Sequence, residues 1–403
     1  MTRYILGDLR TGRPILDLPV MSGPWDDRLH VAETVKVTVD LNDEDVQSLV
    51  LRNSATPAQA YLGVVEGDTI MACGPIWTRS YSRPDRTLEL GARGMASYFD
   101  HRLVLPLLAA SIGVDQWTVP DPLDATKTIP NPLLSTVFNG ISLGTMAKRL
   151  VQQARTFTGG NVPIVFQPDE VADATKTYLG ADFKPVWEAI ADLINRLDGP
   201  EVNFQPRFMA DGLGVEWLMQ TGTVAQPLIT SPSVIEWDVT AQESPVSDFT
   251  TKEDATKVGS RAFQMGGRQM DDVLVARAYD STLVDAGYPL MELFDASHSS
   301  VSEQPTLDSY AAADVRAGKF PTEVWSFTVE AHPVDEDGFS AGPQLGSYAV
   351  GDFADLSISP WDAVKGTGDP YLPGDKYRMR VIGISGDARG EKVKIDCAPI
   401  VRA

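Results

Sequence analysis

Residues 140–144, Gly-Ile-Ser-Leu-Gly, are the part of the chain that most resembles a catalytic motif. They match the Gly-x-Ser-x-Gly pattern, in which hydrolases hold a nucleophilic serine on a sharp turn between a strand and a helix. An apolar run at 133–138 precedes the motif, a helical pattern follows it, and His298 and His332 lie downstream as candidate bases. A serine hydrolase with Ser142 as its nucleophile is therefore one hypothesis for this chain.

A helix N-cap is the simpler interpretation of Ser142, because serine is among the residues preferred at that position. No His-Gly-Gly segment precedes it to form an oxyanion hole, and the residues after it predict antiparallel hairpins instead of the βα repeats of a hydrolase. We expect Ser142 to cap a helix over 142–157 and the protein not to be an enzyme. No catalytic or cofactor-binding residue is predicted.

Two acidic runs could suggest a calcium loop. Residues 335–338, Asp-Glu-Asp-Gly, have no carboxylate at the spacing that an EF-hand needs, and a loop beginning at Asp40 would have Leu51 at its twelfth position. We expect a solvated hairpin tip and a helix cap. Cys73 and Cys397 fall in separate predicted strands and are expected to be buried thiols. The sequence predicts no metal site and no cofactor.

Composition limits the class of protein. The chain has 403 residues and is 43% hydrophobic, which predicts a globular protein of two to four domains. Its 34 Lys and Arg against 55 Asp and Glu give a net charge of −21. That charge disfavours stable binding to DNA or to an anionic membrane. Charged residues within 1–18 stand where a signal peptide needs an apolar core, so we expect a soluble chain made inside the cell.

Alternating apolar and polar residues predict β-sheet at both ends of the chain. Near the C-terminus the alternating apolar residues are Trp325, Phe327 and Val329, then Tyr377, Met379 and Val381, then Val393, Ile395 and Cys397. Arg378 and Arg380 lie on the opposite face, which is expected to be wet. Near the N-terminus strands are predicted at 34–41, 61–65, 70–73, 76–82 and 87–90, with a capped helix after Asp45.

Helical spacing appears between these ends. Helices are predicted at 94–102, 142–157, 183–197 and 306–318, and a hairpin is predicted at 202–208 and 214–219. Asp182 is the expected N-cap of the third helix, with Pro185 in its first turn. Further strands are expected at 234–239, 262–265 and 273–279, with a loop at 242–257 and a linker at 297–305.

The predicted fold class is α+β and β-rich, with two small β-barrel or sandwich modules flanking an α+β middle region. The first β-barrel domain is placed at 1–98 and the α+β middle domain at 99–231. Residues 232–304 are predicted as return strands and a linker, with completion of the first barrel and middle domain as an open option. The second β-barrel domain, with one leading helix, is placed at 305–403.

This order resembles the baseplate hub proteins at the tail tip of long-tailed bacteriophages, also called tail-associated or minor tail proteins. Residues 72–77, Ala-Cys-Gly-Pro-Ile-Trp, resemble the family's first barrel, and 89–102 resemble its exit into the middle region. The helix around Trp187 is similar to the family's central helix. Residues 348–352, followed by 377–384, resemble the long hairpin of its closing barrel.

The resemblance implies a structural virion protein. Its members form a homotrimer whose two barrels per subunit alternate around the axis, which adapts a hexameric tail tube to a threefold tip. The implied partners are a distal tail protein or tail-tube ring, other tail-tip proteins and the tape measure protein. Genomic DNA would meet it only in passage through a channel lined by part of the acidic surplus. The implied location is the virion tail tip, after synthesis and assembly in the host cytoplasm, with no stable membrane binding.

A host-glycan-binding tail adhesin is the main alternative that is not an enzyme. Adhesins present exposed aromatic platforms, whereas most tryptophans here are expected in cores or interfaces. The tryptophans considered are Trp25, Trp77, Trp117, Trp217, Trp237, Trp325 and Trp361.

Overall fold

The fold is described from a computed structural model of the chain. It covers residues 2–106, 117–196, 198–231, 234–241, 244–269, 272–298, 301, 303–334 and 340–399. The predicted acidic hairpin tip at 335–338 lies outside these residues. In the described part of the chain, no helix is long and apolar enough to cross a membrane.

The N-terminal region is a β module whose central strand, β5, is buried on both faces. Its elements are β1 (Thr2–Asp8), β2 (Leu16–Leu18), β3 (Trp25–Arg28), β4 (Val31–Asp40), α1 (Glu44–Ser48), α2 (Leu51–Ser54), β5 (Ala60–Glu66), β6 (Thr69–Ser82) and β7 (Thr87–Arg93). The predicted cap after β4 is confirmed, since Asp43 accepts hydrogen bonds from the backbone N–H groups of Asp45 and Val46. A 3₁₀ helix at Met95–His101 occupies the place of the predicted helix at 94–102.

The middle region combines short sheets with two helices. Its elements are β8 (Thr118–Pro120), β9 (Thr128–Pro130), β10 (Thr136–Ile141), α3 (Leu143–Arg155), β11 (Ile164–Phe166), β12 (Val171–Tyr178), α4 (Val186–Ile194), β13 (Val202–Phe208) and β14 (Val215–Thr221), with 3₁₀ turns at Pro132–Leu134 and Gly180–Asp182. The expected role of Asp182 is wrong. The chain turns through Phe183 at φ 48°, so α4 begins later, after Pro185, without a side-chain cap.

The remaining elements form two units. They are β15 (Val234–Asp238), β16 (Val246–Asp254), β17 (Arg261–Gln269), β18 (Asp272–Tyr279), α5 (Thr282–Asp285), β19 (Glu292–Asp295), α6 (Gln304–Ala317), β20 (Thr322–Glu330), β21 (Phe353–Ile358), β22 (Asp375–Gly386) and β23 (Lys392–Pro399). β17, β18 and β19 make a separate three-stranded sheet. Helix α6 packs against β17 and β18, and it was expected to lead the second barrel.

Two predictions for residues 232–304 are corrected. The segment 242–257 contains a strand, β16, which pairs with β20. The strand was missed because most of its residues are polar. Backbone hydrogen bonds to β20 hold it at the edge of the sheet, and only Val246 and Phe249 among its described residues pack against the core, with the Phe249 ring edge-on to Trp325 at 5.4 Å. Strand β15 pairs with β21. Both strands therefore extend the C-terminal β module and do not complete the first barrel.

A single sheet path joins the N-terminal and C-terminal β modules. β3 pairs antiparallel with β22, so that Ile384 lies opposite Asp27, and on its other side β3 pairs with β4. The two modules share one hydrophobic core that includes Leu6, Val37, Trp237 and Phe327. A second core joins the first module to the middle region. The β-rich α+β architecture predicted from the sequence is confirmed.

Candidate assembly junction

The structure places Ser142 at the N-cap of α3, as predicted. Its Oγ accepts a hydrogen bond from the backbone N–H of Thr145 at 3.2 Å and donates one to Thr145 Oγ1 at 3.1 Å. The side chain is buried. Ser142 therefore accepts a bond from a helix N–H group that has no partner within the helix, which is the usual function of an N-cap residue.

Neither downstream histidine reaches Ser142. The His298 ring stacks on Tyr310, with 4.0 Å between centroids, and His332 Nε2 lies 2.8 Å from Glu66 Oε1. The polar groove beside Ser142, about 520 Å³, has no histidine among the described residues that line it. The hydrolase constellation is therefore not assembled in the part of the chain that the structure describes.

A buried ion pair joins the middle region to the C-terminal β module. Arg380 on β22 donates from Nη2 to Glu201 Oε2 at 2.6 Å and from Nη1 to Glu201 Oε1. The same guanidinium donates to the carbonyl oxygens of Ile229 and Gly351, each at 3.0 Å. The Arg380 side chain thus links β22 to three other segments, at Glu201, Ile229 and Gly351.

The surroundings of Glu201 favour its charged form. Burial opposes ionisation, but hydrogen bonds from His30 and Arg380 and the charge of Arg380 lower the pKa of Glu201 to about 2. The backbone N–H of Ile229 donates a further bond at 2.7 Å. Alternation along β22 predicted that Arg380 faces water, and this was wrong. Its acceptor is far away in the sequence, so no local pattern could reveal the pair.

A second contact locks the middle region to the N-terminal module. Trp217 Nε1 donates to the carbonyl oxygen of Cys73 at 3.0 Å, and the Tyr61 ring meets the indole edge-on at 5.9 Å. Gly12 stands at φ 73° where the two regions touch, and its carbonyl oxygen accepts from the N–H of Val215 at 3.0 Å. A Cβ at Gly12 would lie 2.1 Å from the carbonyl oxygen of Val215, so only glycine fits there.

A third contact joins the two β modules. Glu66 is buried at the end of β5, accepts from Thr2 Oγ1 at 2.6 Å and lies 2.8 Å from His332 Nε2. Burial favours its neutral form, but several hydrogen bonds, including those from Thr2 and His332, hold the pKa of Glu66 below its ordinary value. Each pair among the N-terminal module, the middle region and the C-terminal module is thus joined by a specific polar contact that includes at least one buried side chain.

Two carboxylates at the junction have the opposite tendency. Burial, and then the charge of Asp26, raise the pKa of Asp27 to about 7. Burial and the charge of Asp27 raise the pKa of Glu33 well above its usual value. Both residues line a small cavity of about 40 Å³, which is room for very few water molecules. Glu33 is buried and Asp27 is partly buried; the sequence predicted no strand at 25–28 and did not reveal this acid pair.

The other predicted residues fall in structural positions. Cys73 and Cys397 are both free and buried, as expected. Asp40 accepts from the N–H of Asn42 at 2.8 Å and so closes a turn. No group of three or more metal-ligating side chains occurs among the described residues.

Most of the tryptophans lie in cores, as expected. Trp25, Trp217, Trp237 and Trp325 are buried. Trp77 and Trp117 are partly buried. Trp361 is 48% exposed and is the exception.

No family model matches this chain, and no curated protein matches it. Among solved structures it is similar to the 43 kDa tail protein of prophage MuSo2 from Shewanella oneidensis, with a TM-score of 0.54, 10% identity, and 99% of this chain and 98% of that one covered. It is also similar to a tail protein from Neisseria meningitidis MC58, with a TM-score of 0.51, 12% identity, and 99% and 96% covered. The expected resemblance to phage tail proteins is confirmed in the fold, over almost the whole chain.

Proposed function

We propose that this chain is a structural subunit of a bacteriophage tail tip, a baseplate hub that assembles as a homotrimer. The observation that carries the proposal is the match of nearly the entire chain to the prophage tail protein fold. A match over the whole length includes the order of β module, middle region and β module, and not just one common barrel. The finer role follows from the hub resemblance of the sequence.

The joined β modules support a role in symmetry matching. Each subunit holds two β modules in a fixed relation, through the pairing of β3 with β22 and the shared core. Three copies arranged around an axis would present six β modules to a hexameric tail ring. A subunit with flexibly linked modules would present them at variable angles. The three contacts of the junction restrict that freedom.

The acidic composition supports a passage for DNA. The net charge of −21 means that the chain has more carboxylates than basic groups with which they could pair. Acidic walls repel phosphates over roughly 8 Å at physiological salt, so DNA would slide past instead of binding. The partners in this proposal are a distal tail or tail-tube ring, other tail-tip proteins and the tape measure protein.

Mass and symmetry test the proposal together. The purified chain should have three times the mass of one chain by light scattering, and particles in the same sample should show a threefold ring with a central opening. Immunogold labelling of the phage should place the protein at the tail tip. A label along the tail or on the capsid would contradict the location, and a symmetric dimer would contradict the hub.

A further inference from the structure

The sheet β18–β17–β19 has one covered face and one uncovered face. Ala276 and Ala278 face helix α6, where they pack with Leu307, Tyr310 and Ala311. Side chains alternate along a strand, so their neighbours point away from the helix. In the described residues the opposite face is uncovered: Phe294 is 66% exposed, Tyr279 56% and Val275 52%. We refer to it as the outer sheet face.

This face is apolar and slightly basic on an acidic chain. Phe263 lies opposite Arg277 on β18 and beside Phe294 on β19, and the face carries a groove of about 410 Å³. Arg261 pairs with Glu292 at 3.0 Å. Arg277 makes no ion pair with any carboxylate that the structure describes. One positive charge therefore remains among exposed apolar side chains.

A second exposed apolar surface is the connection between β21 and β22, residues 359–374, here named the hairpin extension. Val364 is 96% exposed, Tyr371 76% and Trp361 48%. The extension is ordered by its own bonds: Asp369 accepts from the N–H groups of Tyr371 and Leu372 at 2.8 and 2.7 Å. An ordered loop loses little conformational entropy when it binds.

The charges of the two surfaces are opposite. The hairpin extension contains two aspartates and one lysine. Lys365 lies 3.7 Å from Asp362, which leaves the negative charge of Asp369 beside Tyr371. Copies of a chain with net charge −21 repel each other, so association is least opposed where a basic face meets an acidic one.

We propose that the hairpin extension of one copy docks, through Trp361, Val364 and Tyr371, on the outer sheet face of the next copy. The inference rests on the proposed homotrimer. Two different surfaces of the same chain make a head-to-tail contact, which closes into a ring when the rotation permits. The contact buries aromatic side chains on both sides and places Arg277 against the acidic extension.

Photocrosslinking of the full-length chain tests the contact directly. A Tyr371→p-benzoylphenylalanine variant, mixed with isotope-labelled wild-type chain, should crosslink to labelled peptides containing residues 261–279 or 292–295. A crosslink elsewhere, a crosslink only within one chain, or a chain that stays monomeric overturns the proposal. Tail-tip labelling with such a negative result would leave the proposed location standing and remove only this contact.

Variants provide the matched comparison. Phe294→Asp should raise the concentration at which half the chains are assembled by about tenfold or more, because aromatic residues dominate interfaces. Val171→Asp introduces the same carboxylate at a valine that is 86% exposed on β12 and should leave assembly unchanged. Arg277→Glu should weaken assembly most at low salt. Equal effects of Phe294→Asp and Val171→Asp, or binding of host polysaccharide by the hairpin extension in place of assembly, would overturn the contact.

Discussion

The guanidinium of Arg380 and the carboxylate of Glu201 form a two-pronged pair, with both side chains less than a tenth exposed. One belongs to the C-terminal β module and the other precedes the first strand of a hairpin in the middle region. Because both groups are largely removed from water, each charge depends on the other. The pair therefore makes the relative position of two regions a condition for stability.

Removing one member of this pair should be costly. We expect Arg380→Met to lower the free energy of unfolding by about 3–5 kcal/mol, because Glu201 is left buried without its cation. Arg378→Met on the same strand is the control, since Arg378 is about half exposed and lies 3.8 Å from Asp355. That change should cost less than about 1 kcal/mol. Urea unfolding at pH 7 measures both, and equal losses would contradict the role assigned to Arg380.

Acid should weaken the same junction. The pKa of Glu201 falls from 4.5 to about 2 on folding, so its stabilising contribution is complete above pH 4.5 and is lost as the pH drops towards 2. Glu201→Gln should be less stable than wild type at pH 7, and the difference should shrink through this window. Urea midpoints measured between pH 7 and pH 2.5 give the profile. Parallel profiles for the two proteins would refute the assignment.

The partly buried Asp27 on β3 should have the opposite pH dependence. The pKa of Asp27 rises from 3.8 to about 7 on folding, so its neutral form favours the folded state below pH 4, and this benefit disappears as the pH rises through 7. We expect Asp27→Asn to stabilise the protein by roughly 1–3 kcal/mol at pH 8 and to be almost neutral near pH 4. Thermal unfolding at both pH values measures the difference.

A surface acid supplies the comparison for Asp27. The Asp17 carboxylate is 71% exposed and pairs with Arg3 at 3.3 Å. Asp17→Asn should change stability little at either pH. A gain at pH 8 equal to that of Asp27→Asn would assign the effect to net charge and not to burial.

The cap of α3 should be structural. We expect Ser142→Ala to cost about 1 kcal/mol, while Ser142→Asp retains an acceptor for the N–H of Thr145 and should cost less. Denaturant unfolding distinguishes them. A fluorophosphonate probe should leave Ser142 unlabelled, and labelling there would revive the hydrolase hypothesis.

Sequence patterns correctly predicted the features that are decided by residues close together in the chain, such as strands with one apolar face and helix caps. The period-2 runs through Trp325 and Val393 located strands. Ser142 was correctly expected as a cap, and so was a capped helix after β4, because capping is decided within about four residues. β16 was missed since an edge strand can be polar on both faces. Its position depends on the backbone of β20, which local alternation does not record.

The junction could not be predicted for a related reason. Arg380 stands at a position of β22 where alternation predicts an exposed polar residue. Its burial is favourable only because Glu201, from the middle region, pairs with it. The pairing of β3 with β22 is of the same kind. Nothing near Trp25 specifies a partner at the far end of the chain.

The pairing of β3 with β22 also determines when the N-terminal β module can be completed during synthesis. β3 leaves the ribosome early, but the strand beside it is made only after nearly the whole remaining chain has been translated. Until then the N-terminal module has an unpaired sheet edge and half of a shared core. Contacts so distant in sequence form slowly. A chain that stops before β22 therefore keeps this edge open, and such chains can pair with one another and aggregate.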